Sequence, residues 1–67
     1  MSKEKTPFEQ AIHKAGGQVA LAEAIGTSQQ LVSYWLKKKV PAEWVVKIEE
    51  QTGITRHQLR PDIFGAA

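Results

Sequence analysis

QVALAEAIGTSQQLVSYWLK, running from Gln18 to Lys37, reads as two short helices joined by a tight turn. Leu21, Ala22 and Ile25 fall on one side of the first helix, and Val32, Trp35 and Leu36 make an apolar face on the second. Gly26 lies between them, where a backbone with positive φ is easiest for glycine. This is the layout of a helix-turn-helix, in which one helix is braced on the core and the next is offered to a DNA groove.

The flanking sequence supports that pair. Thr6 and Glu9 have capping-box spacing, Pro7 suits a first helical position, and Phe8, Ala11, Ile12 and Ala15 form the stripe of a first helix that ends at Gly16-Gly17. The second helix is expected from about Gln18 to Ile25. The third is expected from about Ser28 to Lys37, with Thr27 as its N-cap. Val40-Pro41 interrupts the pattern. A fourth helix is expected from Pro41 to a stop at Gly53, with Val45, Ile48 and Thr52 inward and Glu43 paired with Lys47. A short turn or helix, Thr55 to Leu59, precedes Arg60-Pro61, and Ile54, Leu59, Ile63 and Phe64 are available to close the core. No strand pattern is present. The expected fold is all-α, a compact four- to five-helix bundle in one domain over residues 1–67, with 1–5 a flexible arm and 65–67 a flexible tail.

Composition narrows the function. There is no cysteine, and the two histidines, His13 and His57, are far apart, so neither a disulfide nor a metal cluster is expected. Nothing resembles a catalytic constellation or a phosphate loop, so no enzyme and no cofactor or small-molecule ligand is expected. No apolar run approaches the roughly 20 residues of a membrane span, and no signal segment is visible, so a cytoplasmic chain without a membrane partner is expected. Net charge is only +2, but its placement is uneven. No acid lies between Glu23 and Glu43, and Lys37, Lys38 and Lys39 all fall in that interval. A locally basic face of this kind suits nucleic acid.

On a helical wheel the side opposite Val32 carries Gln30, Tyr34 and Lys37, with Ser33 and Lys38 at its margins and Gln29 nearer the turn. Glutamine can meet adenine with donor and acceptor together, and serine can bond either kind of base edge. Gln29, Gln30, Ser33 and Tyr34 are therefore the candidate base contacts. Gln18, Thr27, Ser28, Lys37, Lys38 and Lys39 are the candidate phosphate contacts, the first three lying at helix starts. Trp35 shares the Val32 face and is expected in the core, whereas Trp44 lies on a flank of the fourth helix.

These residues also carry a resemblance. Gln18-Val19-Ala20-Leu21-Ala22, Gly26, Gln29, Val32 and Trp35 resemble the helix-turn-helix pattern of the lambda-repressor-like superfamily. Val32-Ser33-Tyr34-Trp35-Leu36 resembles phage Cro-type repressors, and the ending from Gly53 through Leu59-Arg60-Pro61-Asp62-Ile63-Phe64 resembles the YdaS-type, Cro-like proteins of prophages. The resemblance implies a transcriptional repressor that binds double-stranded operator DNA as a two-fold dimer, one recognition helix per half-site. By position, Gln18 would make the first phosphate contact and support Gln29. Thr27 departs from the pattern, which often has an apolar residue there. Such proteins have also been described as toxin or antitoxin partners.

Two functions follow as expectations. The first is a sequence-specific DNA-binding repressor, a weak homodimer that pairs on DNA through Trp44, Val46 and Phe64. The second is a protein-interaction module or toxin–antitoxin component, using helix 3 or that same flank.

Overall fold

A computed structural model describes residues 6–65, so the expected arm, 1–5, and most of the expected tail lie outside the described residues. Six helical segments follow one another: α1 Pro7–Ala15, α2 Gln18–Ile25, α3 Gln29–Lys37, α4 Ala42–Thr52, α5 Arg56–Leu59 and α6 Pro61–Phe64. No strand occurs among the described residues. The all-α, helix-turn-helix expectation holds, with one more helical turn than the four or five expected. That turn, α6, starts on Pro61, directly after Arg60, the C-cap of α5.

Local chemistry accounts for most boundaries. The Thr6 hydroxyl accepts from the Glu9 N–H and the Glu9 carboxylate accepts from the Thr6 N–H, completing the capping box. Gly26 takes a left-handed conformation, φ +84°, and its N–H and that of Thr27 both donate to the Ala22 carbonyl to close α2. Thr27 is thereby part of the α2 stop, which leaves the N-cap of α3 to Ser28, whose hydroxyl accepts from the Leu31 N–H. The expectation of Thr27 as cap is corrected by one residue. Pro41 is likewise the N-cap of α4 rather than its first residue: its ψ of 146° is extended, while its carbonyl already accepts from Trp44 and Val45. A second capping box, Thr55 with Gln58, starts α5.

The core sits where α1, α2 and α4 meet beneath α3, and Leu21, Val32, Val45 and Ile48 are its largest fully buried side chains. Phe8, Trp35 and Trp44 form an aromatic line joining α1, α3 and α4. The Phe8 and Trp35 rings meet edge-on at 6.4 Å, and the Trp35 and Trp44 rings are tilted at 5.6 Å. Trp35 is thus a core residue, as its helix face predicts. Trp44 is half-buried, with the Lys47 ammonium 4.8 Å above its ring. Lys47 takes that position instead of pairing with Glu43, which is in no ion pair among the described residues.

Two apolar expectations are corrected. Leu36 is 38% exposed, because Val32 and Trp35 already fill the inward arc of α3 and Leu36 is left at its edge. Ile63 is 49% exposed. Neighbouring residues of a one-turn helix point roughly 100° apart, so one of Ile63 and Phe64 can face the core. Phe64 does so.

Candidate nucleic-acid interface

The turn from Gly26 to Ser28 swings α3 across α2 and fixes which side of it meets solvent. With Val32 and Trp35 buried, the outer side presents Gln29, Gln30, Tyr34 and Lys37, all exposed. Tyr34 is 55% exposed, far more than a core aromatic tolerates. Lys38 and Lys39 continue that surface beyond the helix end. No acidic residue lies in the first turn of α2 or α3, and Gly17, the N-cap of α2, supplies no side-chain cap. The positive ends of both helix dipoles are therefore not neutralised by neighbouring carboxylates of their own first turns.

The half-buried Gln18 and Ser33 meet between the two helices: the Ser33 hydroxyl donates to the Gln18 side-chain carbonyl at 2.5 Å. Gln18 thus supports Ser33, not Gln29, within this structure. Sequence spacing alone misses this contact, since the two are fifteen residues apart and their approach depends on the crossing of α2 and α3. Thr27 is half-buried in the turn and Ser28 is exposed with its hydroxyl on the backbone of α3.

The three lysines are not equivalent. Lys39 lies 3.5 Å from the Asp62 carboxylate, whereas neither Lys37 nor Lys38 has a carboxylate partner among the described residues. Hydrogen bonds from the Arg60 guanidinium hold the Asp62 carboxyl well below the usual carboxylate range, with smaller help from the charges of Arg60 and Lys39. The Glu49 carboxylate is also engaged, accepting from the Arg56 N–H and pairing with its guanidinium at 3.3 Å. Glu49 thereby satisfies a backbone N–H in the first turn of α5. His57 Nδ1 lies 3.0 Å from the Gly65 carbonyl, which ties down the end of α6.

The suggested pairing anchors are all partly covered within the chain. Trp44 and Phe64 pack partly on the core, and Val46 is half-buried. Two positions apart on α4, Trp44 and Val46 point roughly 160° away from each other. No group of three or more His, Cys, Asp or Glu residues that could hold a metal occurs among the described residues, and none of their helices is long and apolar enough to cross a membrane.

A braced helix, a glycine turn and a second helix with a polar outer face define a helix-turn-helix. Comparison with known proteins agrees. The solved Cro protein from a candidate prophage element, Xfaso 1, in Xylella fastidiosa strain Ann-1 superposes with a TM-score of 0.87 at 38% identity, over 92% of this chain and all of that one. The Gene 30 protein of Enterobacteria phage phi80 is 42% identical over 97% of this chain and 93% of its own length. A candidate transcriptional regulator of Escherichia coli K12, YdaS, is 40% identical over 94% of this chain and 68% of its own. The model of the family described as bacterial toxin YdaS matches residues 8–67, and the chain belongs to that family.

Proposed function

We propose that this protein is a sequence-specific, double-stranded-DNA-binding transcriptional repressor, which binds an inverted-repeat operator as a dimer with α3 in the major groove. The observation that carries the reading is the division of α3 into a buried Val32–Trp35 side and an exposed side of Gln29, Gln30, Tyr34 and Lys37. A helix held rigidly from beneath, with amide side chains at its N-terminal end, is the geometry of direct base readout. The likeness to a Cro protein and to a transcriptional regulator supports it.

In this mechanism Gln29, Gln30 and Tyr34 face base edges and Ser33 lies at the margin, its hydroxyl bonded to Gln18. The start of α2 at Gln18 and the turn into α3 at Thr27 and Ser28 meet phosphates, and lysines at the end of α3 supply charge without sequence information. Half-sites lie about 10 bp apart, centre to centre, and the bound dimer occludes a promoter. The dimer is weak in solution and completed on DNA. No enzymatic step is part of the mechanism.

Selection from a random duplex pool, followed by fluorescence anisotropy at several salt concentrations, tests the reading. Enrichment of an inverted repeat, with affinity falling steeply as salt rises, is the expected result. A protein that binds no duplex at low salt is not a DNA-binding repressor. Binding to a protein partner without DNA affinity would instead favour an interaction module or toxin–antitoxin component, as the family's description suggests.

A further inference from the structure

The C-terminal turn contains a cluster that direct base readout does not use. The Arg60 side chain is only 15% exposed, although arginine at a surface turn ordinarily extends into water. Its Nη1–H donates to the Val40 carbonyl at 2.6 Å, twenty residues away. Its Nε–H and Nη2–H donate to the two oxygens of Asp62 at 2.9 and 2.7 Å, a bidentate pair that fixes the plane of the guanidinium. Val40 is itself buried, in the loop that leaves the recognition helix. The same Asp62 carboxylate takes the Lys39 ammonium at 3.5 Å. Loop 38–41 is thus held to the turn at 60–62 twice, once by its backbone and once by a side chain.

We propose that Arg60 and Asp62 are positioning residues for the DNA-backbone contact: they hold loop 38–41 so that Lys37 and Lys38, and not Lys39, serve the phosphates. This rests on the DNA-binding reading above. A phosphate that approaches Lys39 competes with the Asp62 carboxylate already in place. One that approaches Lys37 or Lys38 meets no such competitor among the described residues.

The experiment measures the affinity of the full chain for a random-sequence duplex between roughly 50 and 200 mM salt. Each phosphate contact contributes about 0.9 to the log–log slope, a three- to fourfold difference in affinity over that range. Lys38→Gln flattens the slope by that amount, and Lys39→Gln leaves it unchanged. Asp62→Asn steepens it by releasing Lys39, whereas Glu50→Gln, an equal change of charge on the exposed side of α4, does not. In an Arg60→Lys background, which keeps the charge and loses the fork, the effects of Lys38→Gln and Lys39→Gln converge. Circular dichroism confirms that each variant is folded. Equal flattening by Lys38→Gln and Lys39→Gln in the wild-type background, with no response to Asp62→Asn, overturns this inference alone. Failure of the wild-type chain to bind duplex at low salt overturns the DNA reading and this inference with it.

Discussion

Ser33→Ala removes the hydroxyl that joins the two helices of the DNA-binding motif, and its effect separates a structural role from a base-reading one. The bond runs from Ser33 Oγ to Gln18 Oε1, and both residues are half-buried. A neutral hydrogen bond contributes about 0.5–1.5 kcal/mol net, and more when truncation strands a buried partner. Water reaches both groups here, so the larger penalty does not apply and about 1 kcal/mol is expected. Gln18→Ala alone also changes helix propensity and side-chain packing at the first residue of α2, so neither single variant isolates the bond. A double-mutant cycle does, with an expected coupling of about 1 kcal/mol. With a urea dependence of about 1 kcal/mol/M for so small a domain, that coupling moves the midpoint by roughly 1 M. The same variants, taken through operator selection, should lose affinity without changing the preferred bases, because the bond sets the seating of α3 on α2. A coupling below about 0.3 kcal/mol refutes the structural role. A base preference altered at one operator position, with stability intact, assigns Ser33 to the DNA instead.

Four further outcomes are expected. Gln29→Ala should relax base preference at one position and cost about 1–3 kcal/mol on the selected site; an equal loss on random DNA would remove Gln29 from the base-reading set. Gly26→Ala meets no atom within 4 Å, so its cost is the left-handed backbone alone: about 1–2 kcal/mol of strain, less about 0.4–1 from the stiffer unfolded chain. Gly26→Asn should cost less than Gly26→Ala, and equal denaturation midpoints for the two would contradict the φ of +84°. Ile48→Ala, at a fully buried site, should lose about 2–5 kcal/mol. That is comparable to the roughly 3–5 kcal/mol such a small core supplies, so calorimetry should find the variant largely unfolded at 37 °C; Ile48→Val should lose about 1 kcal/mol and remain folded. Asp62 has its carboxyl lowered by Arg60, so its contribution to stability is complete above the unfolded value of 3.8 and is lost only as pH falls from there toward the lower folded value. Carboxyl chemical shifts followed by NMR should place the Asp62 midpoint below 3.8, and a midpoint at or above that value would contradict the Arg60 pair.

Much of the fold and part of the site can be read without coordinates, for local reasons. Thr6, Pro7 and Glu9 start a helix by contacts within one turn. Gly26 and Gly53 stop helices because both positions need a left-handed backbone. The 3.6-residue period places Val32 and Trp35 on the buried side of α3 and exposes Gln30, Tyr34 and Lys37 opposite them. These signals act over three or four residues, so the chain's own order contains them.

The features that depend on the crossing of helices are not in that order. Whether Leu36 or Ile63 is covered depends on which neighbour has already filled the inward arc, and in both cases an adjacent aromatic, Trp35 or Phe64, does so. The Gln18–Ser33 bond spans the helix-turn-helix and Arg60 reaches the Val40 carbonyl across twenty residues; neither contact leaves a spacing that can be recognised in advance. The three lysines are alike as a run of letters, and only the position of Asp62 makes Lys39 differ from Lys37 and Lys38. The sequence alone therefore determined the helices and the polar side of α3, because hydrogen bonds and side-chain period within a helix are local. Tertiary structure decided which of those polar groups are free, because a partner's charge is felt only after the chain has brought it near.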